Sequence, residues 1–275
     1  MANVTEGGIA RKLLPIIYVL DTSGSMSGDR IASVNAAMNE TMDVLKDVSN
    51  KNPTAELKIG VLQFSSGAQW ITDSGLVFME DFYWNDLQAG GLTDFGSALN
   101  ELNNKLSRKE FLDSAVGYKV PVIIFMTDGE PTDDYESALK KINASNKWFK
   151  ASTKIAIAVG DNANTEVLQK IVGNNEAIIN VDDLETLKKL IKVVSVTASM
   201  IGSKSRTDSD STKEIVKTIR GEMGGKNGET DSGKDSGSGE DSSSGEDSSS
   251  GEDSGSGDDS GSGDDSDPWE FTGWD

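Results

Sequence analysis

Three stretches of this chain are apolar almost throughout, and each breaks off abruptly in polar residues. They are residues 13–20 (LLPIIYVL), 120–127 (VPVIIFMT) and 155–159 (IAIAV), followed by Asp21-Thr22-Ser23-Gly24-Ser25, Asp128-Gly129 and Gly160-Asp161. A strand with one wet face alternates polar and apolar side chains; a strand covered on both faces does not. Between these runs lie segments with helical spacing, such as Ile31, Val34, Ala37, Met38, Met42 and Leu45, and later Phe95, Ala98, Leu99, Leu102 and Leu106. Buried strands alternating with helices predict an α/β domain: an open, doubly wound, mostly parallel sheet with helices on both faces. In such sheets binding sites form at the carboxyl ends of the strands, where all three polar breaks fall.

The remaining elements are placed by pattern. Residues 57–64 alternate and predict a second strand after the helix that Asn52-Pro53 ends. Residues 69–78 predict a further strand or a hairpin turning at Asp73-Ser74-Gly75, while the aromatic stretch 81–85 has no clear assignment. One helix is predicted through Ala138, Ile142, Trp148 and Phe149, a short one over 166–172, a last strand over 177–181, and a final helix from Asp182 to about Ser195. The folded domain is therefore expected over residues 1–202, with a short helix around Ile215, Val216 and Ile219 and a linker over 203–225.

Residues 226–275 differ in kind. They hold 16 acidic residues against two lysines, a net charge of −14 out of −20 for the whole chain. Acidic pairs recur every six residues from Glu240-Asp241 to Asp264-Asp265, with almost no apolar residue until Trp269, Phe271 and Trp274. Such a segment cannot bury enough surface to offset its chain entropy, so a disordered acidic tail ending in an aromatic docking peptide is expected. A tail carboxylate on so long a coil could itself reach a cation site on the domain. The serines two and three residues before acids also fit an acidophilic kinase.

Composition removes most chemistry. The chain has no Cys and no His, which excludes thiolate nucleophiles, Ser-His-Asp machinery and the usual zinc sites. It has no basic stripe for a phosphate backbone, so nucleic acid is not an expected partner. The longest apolar run is too short for a membrane span, and residues 1–6 lack a charged leader pattern; a cytoplasmic protein is expected.

What is left is oxygen. Asp21, Ser23 and Ser25 offer a carboxylate and two hydroxyls from one loop, hard donors suited to Mg²⁺, with Mn²⁺ or Ca²⁺ as alternatives. Thr93, in the Gly-rich loop 88–94, and Asp128 can converge on the same sheet edge. With these residues in view, the chain resembles a von Willebrand factor A (VWA) domain with an intact metal-ion-dependent adhesion site. That motif is Asp-x-Ser-x-Ser, a later Thr and a later Asp, matched by Asp21, Ser23, Ser25, Thr93 and Asp128. The stretches 19–26 (VLDTSGSM), 91–99 (GLTDFGSAL) and 127–133 (TDGEPTD) are similar to TerY-type bacterial tellurium-resistance proteins. The resemblance implies that Ser23, Ser25 and often Thr93 touch the metal, with Asp21 and Asp128 often acting through water. It also implies a metal-dependent adaptor, not an enzyme, in a tellurium-resistance or stress-response system. Its partner would be a protein supplying an Asp or Glu carboxylate, with a kinase or phosphatase among the candidates. Two other functions compete: a Mg²⁺-dependent phosphohydrolase using Asp21 as nucleophile, and a surface adhesin. The first would need a second Asp two residues on, where Ser23 stands, and no conventional general base is in view.

Overall fold

The computed structural model describes residues 11–72, 75–160, 163–174, 177–202 and 208–223. The acidic tail with its terminal aromatics lies outside the described residues, as do Asp161 and the turn residues Asp73 and Ser74.

The first apolar run forms β1 (Lys12–Asp21), buried from Leu13 onward. Chain order then runs through α1 (Asp29–Lys51), β2 (Ala55–Ser65), β3 (Gly67–Trp70), β4 (Val77–Phe78), α2 (Phe95–Lys105), β5 (Val122–Thr127), α3 (Tyr135–Ser145), α4 (Lys147–Ala151), β6 (Thr153–Val159), α5 (Thr165–Val172), β7 (Ile178–Val181), α6 (Leu184–Gly202) and α7 (Asp208–Met223). The sheet order is β3-β2-β1-β5-β6-β7, with β4 also on β2. β1, β2, β5, β6 and β7 are mutually parallel, whereas β3 and β4 run antiparallel to β2. The α/β architecture expected from the apolar runs is the one observed.

Alternation along β1 sorts its side chains between two layers. Leu14, Ile16, Tyr18 and Leu20 join the core beneath α1 and α6, while Ile17 and Val19 join the core beneath α2, α3 and α5. β5 repeats the division, with Ile124 and Met126 on the first face and Ile123 and Phe125 on the second. A proline is tolerated in this central strand because of where its missing N–H points. Leu13 donates to Gly117 and accepts from Lys119 on the β5 side, so two residues later Pro15 faces that same side. The β1–β5 ladder begins only at Ile16 opposite Val122, one residue further on.

Four local departures from the pattern-based expectation have physical causes. The segment 69–78 is not a hairpin: β3 and β4 both pair with β2, Trp70 opposite Leu62 and Phe78 opposite Lys58. The single helix expected through Phe149 is two. Asn146 closes α3 through its N–H to Ile142 and opens α4 by accepting from Phe149 N–H at 2.9 Å. Ile142 and Phe149 are seven residues apart, so their helical phase is kept across the break and hides it. In the unassigned aromatic stretch, Phe82 and Trp84 are buried and Tyr83 is exposed with Lys46 over its ring. Asn35 of α1 holds the following backbone, exchanging two 2.9 Å hydrogen bonds with Leu87.

The fourth departure is at the C-terminal end of the described chain. α6 runs to Gly202, and α7 is a 16-residue helix that packs on α6 and β6. Ile215 and Ile219 belong to one core layer and Val216 to the other, so α7 closes a margin that both layers share. Among the described residues no helix is long and apolar enough to cross a membrane.

Ile219 is fully buried. Ile219→Ala is expected to destabilise the domain by about 2–4 kcal/mol, the usual cost of a large-to-small change in a closed core, read from urea unfolding.

Candidate metal centre

Strand order reverses at β1: the chain goes first to β2 on one side and later to β5 on the other. The crevice above the carboxyl ends of β1 and β5 is therefore the topological switch point. Continuing the alternation two residues past Val19 and Phe125 puts Asp21 and Thr127 on the same face, next to each other. Thr127 Oγ1 donates to Asp21 Oδ2 at 2.5 Å, and the Ser23 N–H donates to Asp21 Oδ1 at 2.7 Å. Both oxygens of a carboxylate that is 1% exposed are thus engaged. Burial pushes the Asp21 carboxyl above its ordinary range, and the Asp128 charge adds to this, against the hydrogen bonds from Ser23 and Thr127.

Residues 24–26 form a 3₁₀ turn that carries Ser25 over the strand end. Ser25 Oγ donates to Asp128 Oδ1 at 2.7 Å and lies 3.0 Å from Ser23 Oγ. A hydroxyl has one proton, so with Ser25 committed to Asp128 it is Ser23 that donates within the serine pair. One lone pair of Ser25 is left for a cation.

Thr93 arrives on a loop without regular structure, held at five points. Gly90 N–H donates to Thr22 O, Gly24 N–H to Gly91 O, and Asp94 N–H to Ser65 O. Leu92 N–H donates to Ser66 Oγ, and Asp94 Oδ2 accepts from Gly67 N–H. Gly91 has φ 88°, and a Cβ there would meet Ser66 Oγ at 2.7 Å, so the close turn requires glycine. Thr132 fixes Thr93 from the other side: its Oγ1 accepts from Thr93 N–H and its N–H donates to Thr93 O. The Thr93 and Ser25 hydroxyls both lie near Gly129: a Cβ on residue 129 would stand 3.6 Å from Ser25 Oγ and 3.9 Å from Thr93 Oγ1, in ordinary contact with each.

The structure therefore brings Asp21, Ser23, Ser25, Thr93 and Asp128 together, from three loops. The set is two carboxylates and three hydroxyls. Among the described residues there is no group of three or more His, Cys, Asp or Glu that could hold a metal, so any cation here rests on neutral oxygens as much as charged ones. Hydroxyls with a lone pair to offer and carboxylates behind them fit a hard divalent ion.

Other tempting acids have structural work. Asp133 accepts from the Gly96 and Ser97 N–H groups at the start of α2, and Asp134 caps α3 through Ser137 N–H. Phe95 and Trp70 are core, Phe95 stacked with Phe125 and Trp70 edge-on to Phe111.

One residue of the site escapes pattern reading. Arg30, in the first turn of α1, forms an ion pair with Asp128 Oδ2 and donates to Ser25 O at 3.2 Å. Its guanidinium lies against Gly160 at the end of β6; a Cβ there would come within 2.9 Å of Nη2. A cation in the first turn of a helix opposes the helix dipole, and that misfit is the signal in the sequence that an anion waits nearby.

Comparison with known proteins fits this geometry. The sequence profile of the von Willebrand factor type A domain matches residues 16–193. The chain is 26% identical over 167 residues to human inter-alpha-trypsin inhibitor heavy chain H6, covering 59% of this chain and 13% of that protein. It is 31% identical over 126 residues to mouse inter-alpha-trypsin inhibitor heavy chain 4, covering 42% and 12%. The chain thus spans about an eighth of the length of these curated relatives. Among solved structures it is similar to proximal thread matrix protein 1 from the mussel byssus (TM-score 0.52, 22% identity, 67% of this chain and 47% of that one). A von Willebrand factor type A protein from Catenulispora acidiphila is alike to a similar degree (TM-score 0.50, 20% identity, 70% and 43%). With a family profile covering well over half the sequence, on a fold that puts its polar loops at the β1–β5 crevice, the chain belongs to the von Willebrand factor type A family, whose domains mediate protein–protein interactions and often bind divalent metals.

Proposed function

We propose that this protein is a non-catalytic adaptor that holds a divalent cation, Mg²⁺ in the first instance, through Asp21, Ser23, Ser25, Thr93 and Asp128. There it captures an Asp or Glu side chain of a protein partner. The observation that carries this reading is the orientation of Ser25: its proton is turned back to Asp128, 2.7 Å away, and with Ser23 Oγ 3.0 Å off on another side one lone pair is left for a cation. A bound divalent ion would supply one further oxygen position for the partner's carboxylate. Three of the five donors are neutral, so much of the ion's charge stays available to that anion.

The same geometry speaks against the competing phosphohydrolase. A nucleophilic Asp21 would need a free oxygen facing the crevice, yet both of its oxygens accept hydrogen bonds and the residue is buried. On the similarity of residues 19–26, 91–99 and 127–133 to TerY-type proteins, we assign the adaptor to a cytoplasmic tellurium-resistance or stress-response system. Disruption of the gene in its bacterial host is expected to sensitise cells to tellurite, and unchanged growth would remove that assignment.

Mn²⁺ titration followed by electron paramagnetic resonance tests the site itself. Wild-type protein is expected to bind, and Ser23→Ala and Thr93→Ala to weaken binding by at least about tenfold. EDTA should abolish recovery of partners that Mg²⁺ supports; recovery that is indifferent to EDTA would overturn the adaptor reading.

Asp21 gives a second test with two readouts of opposite sign. Its buried charge costs stability when no cation is present, whereas Asn keeps the shape, accepts from the Ser23 N–H through its oxygen and donates its amide to Thr127 Oγ1, whose proton turns away. Asp21→Asn is expected to raise the metal-free unfolding free energy by on the order of 1 kcal/mol while removing Mn²⁺ binding. A loss of stability in the metal-free state would contradict it.

A further inference from the structure

We infer that Arg30 is a built-in counter-cation that sets the charge of the metal centre, weakening the ion's own hold and strengthening capture of a carboxylate. This rests on the metal-dependent reading above and goes beyond the five donors. Asp128 has a fully buried side chain, and its two oxygens serve different masters: Oδ1 takes the Ser25 proton and Oδ2 takes the Arg30 guanidinium. Arg30 is itself anchored from three directions, by Asp128, by the Ser25 carbonyl and by the flat face of Gly160. Its side chain keeps 34% of its exposure, so it sits at the mouth of the crevice, between solvent and Asp128.

The charges decide the consequence. Asp21, Asp128 and Arg30 together carry −1, and a divalent ion brings the centre to +1. Without Arg30 the same centre would go from −2 to zero. The guanidinium therefore repels the incoming ion and draws on the carboxylate that holds it, which lowers affinity for the ion alone. Once the ion is in place, the surplus positive charge is balanced by a single further carboxylate. Ion and acidic partner become mutually dependent, as linkage requires of two ligands that favour one state. A centre with no such arginine would fill with the ion whether or not a partner was present.

The test compares wild type with Arg30→Gln, Arg30→Met and Arg30→Lys in the full chain. Mn²⁺ affinity is read by electron paramagnetic resonance, and acetate, the carboxylate probe, is titrated into Mn²⁺-loaded protein and followed by water-proton relaxation. Both neutral variants are expected to bind Mn²⁺ on the order of tenfold more tightly and acetate several-fold more weakly. Their melting temperatures without metal should fall, because Asp128 loses its partner. Arg30→Lys should stay close to wild type in both affinities. A purely structural arginine would give the opposite result for Mn²⁺, since a looser site binds less well. Neutral variants whose Mn²⁺ affinity is unchanged or weaker, or that keep wild-type acetate affinity, overturn the inference. So do neutral variants that fail to fold with or without Mn²⁺, whereas variants that fold only when Mn²⁺ is added support it. If wild type itself binds no Mn²⁺, the metal-centre reading falls together with this one; if wild type binds and the variants do not bind more tightly, this one falls alone.

Discussion

A carboxylate buried at the end of the central strand is the constraint around which the upper edge of this domain is arranged. Asp21 sits where β1 ends and the sheet changes direction, with almost no water to solvate its charge. Removing an ionised carboxylate from water is costly unless hydrogen bonds replace the hydration, and here two do, from Thr127 and the Ser23 backbone. The first ties β1 to β5 across the switch point; the second sets the turn that aims Ser23 and Ser25. Neither bond neutralises the charge. The charge stays unbalanced until a cation arrives, because the guanidinium of the same crevice, Arg30, is engaged by Asp128.

The rest of the crevice serves to bring hydroxyls to that open charge without closing it. Hydrogen bonds with Thr22, Gly24, Ser65, Ser66 and Gly67 hold the loop carrying Thr93, and Thr132 grips Thr93 from the α3 side. Most of these bonds involve backbone, so the loop's course depends little on its side chains. The result is a site whose rigidity comes from neutral groups while its charge comes from two buried acids.

How much of this was legible in the sequence follows from the range of each interaction. The strands were legible because burial on both faces writes itself into consecutive residues, as in 13–20 and 120–127. Asp21, Ser23 and Ser25 were legible as one loop's donors, and Thr93 and Asp128 through their order and their places at strand ends. Arg30 was not, because its one mark in the sequence, a cation in the first turn of a helix, does not say which anion it meets, and that anion lies 98 residues away. Asn146 was hidden because a break that preserves helical phase leaves periodicity intact. α7 was underestimated because only three of its apolar residues, Ile215, Val216 and Ile219, carry the packing, and they serve two different layers. Local pattern records what one element needs; it does not record what a distant element supplies.

The contacts that define the crevice also join residues far apart along the chain. Thr127 reaches Asp21 over 106 residues, and Ser25 reaches Asp128 over 103. Closing so large a loop is entropically late in folding, after the local β1-α1-β2 unit has had the opportunity to form. An ion held by these groups cannot act as a template for the nascent chain, since Asp128 is missing until β5 has docked. It meets a finished domain and locks it, so its stabilising effect should fall on the rate of unfolding and leave the rate of folding nearly unchanged.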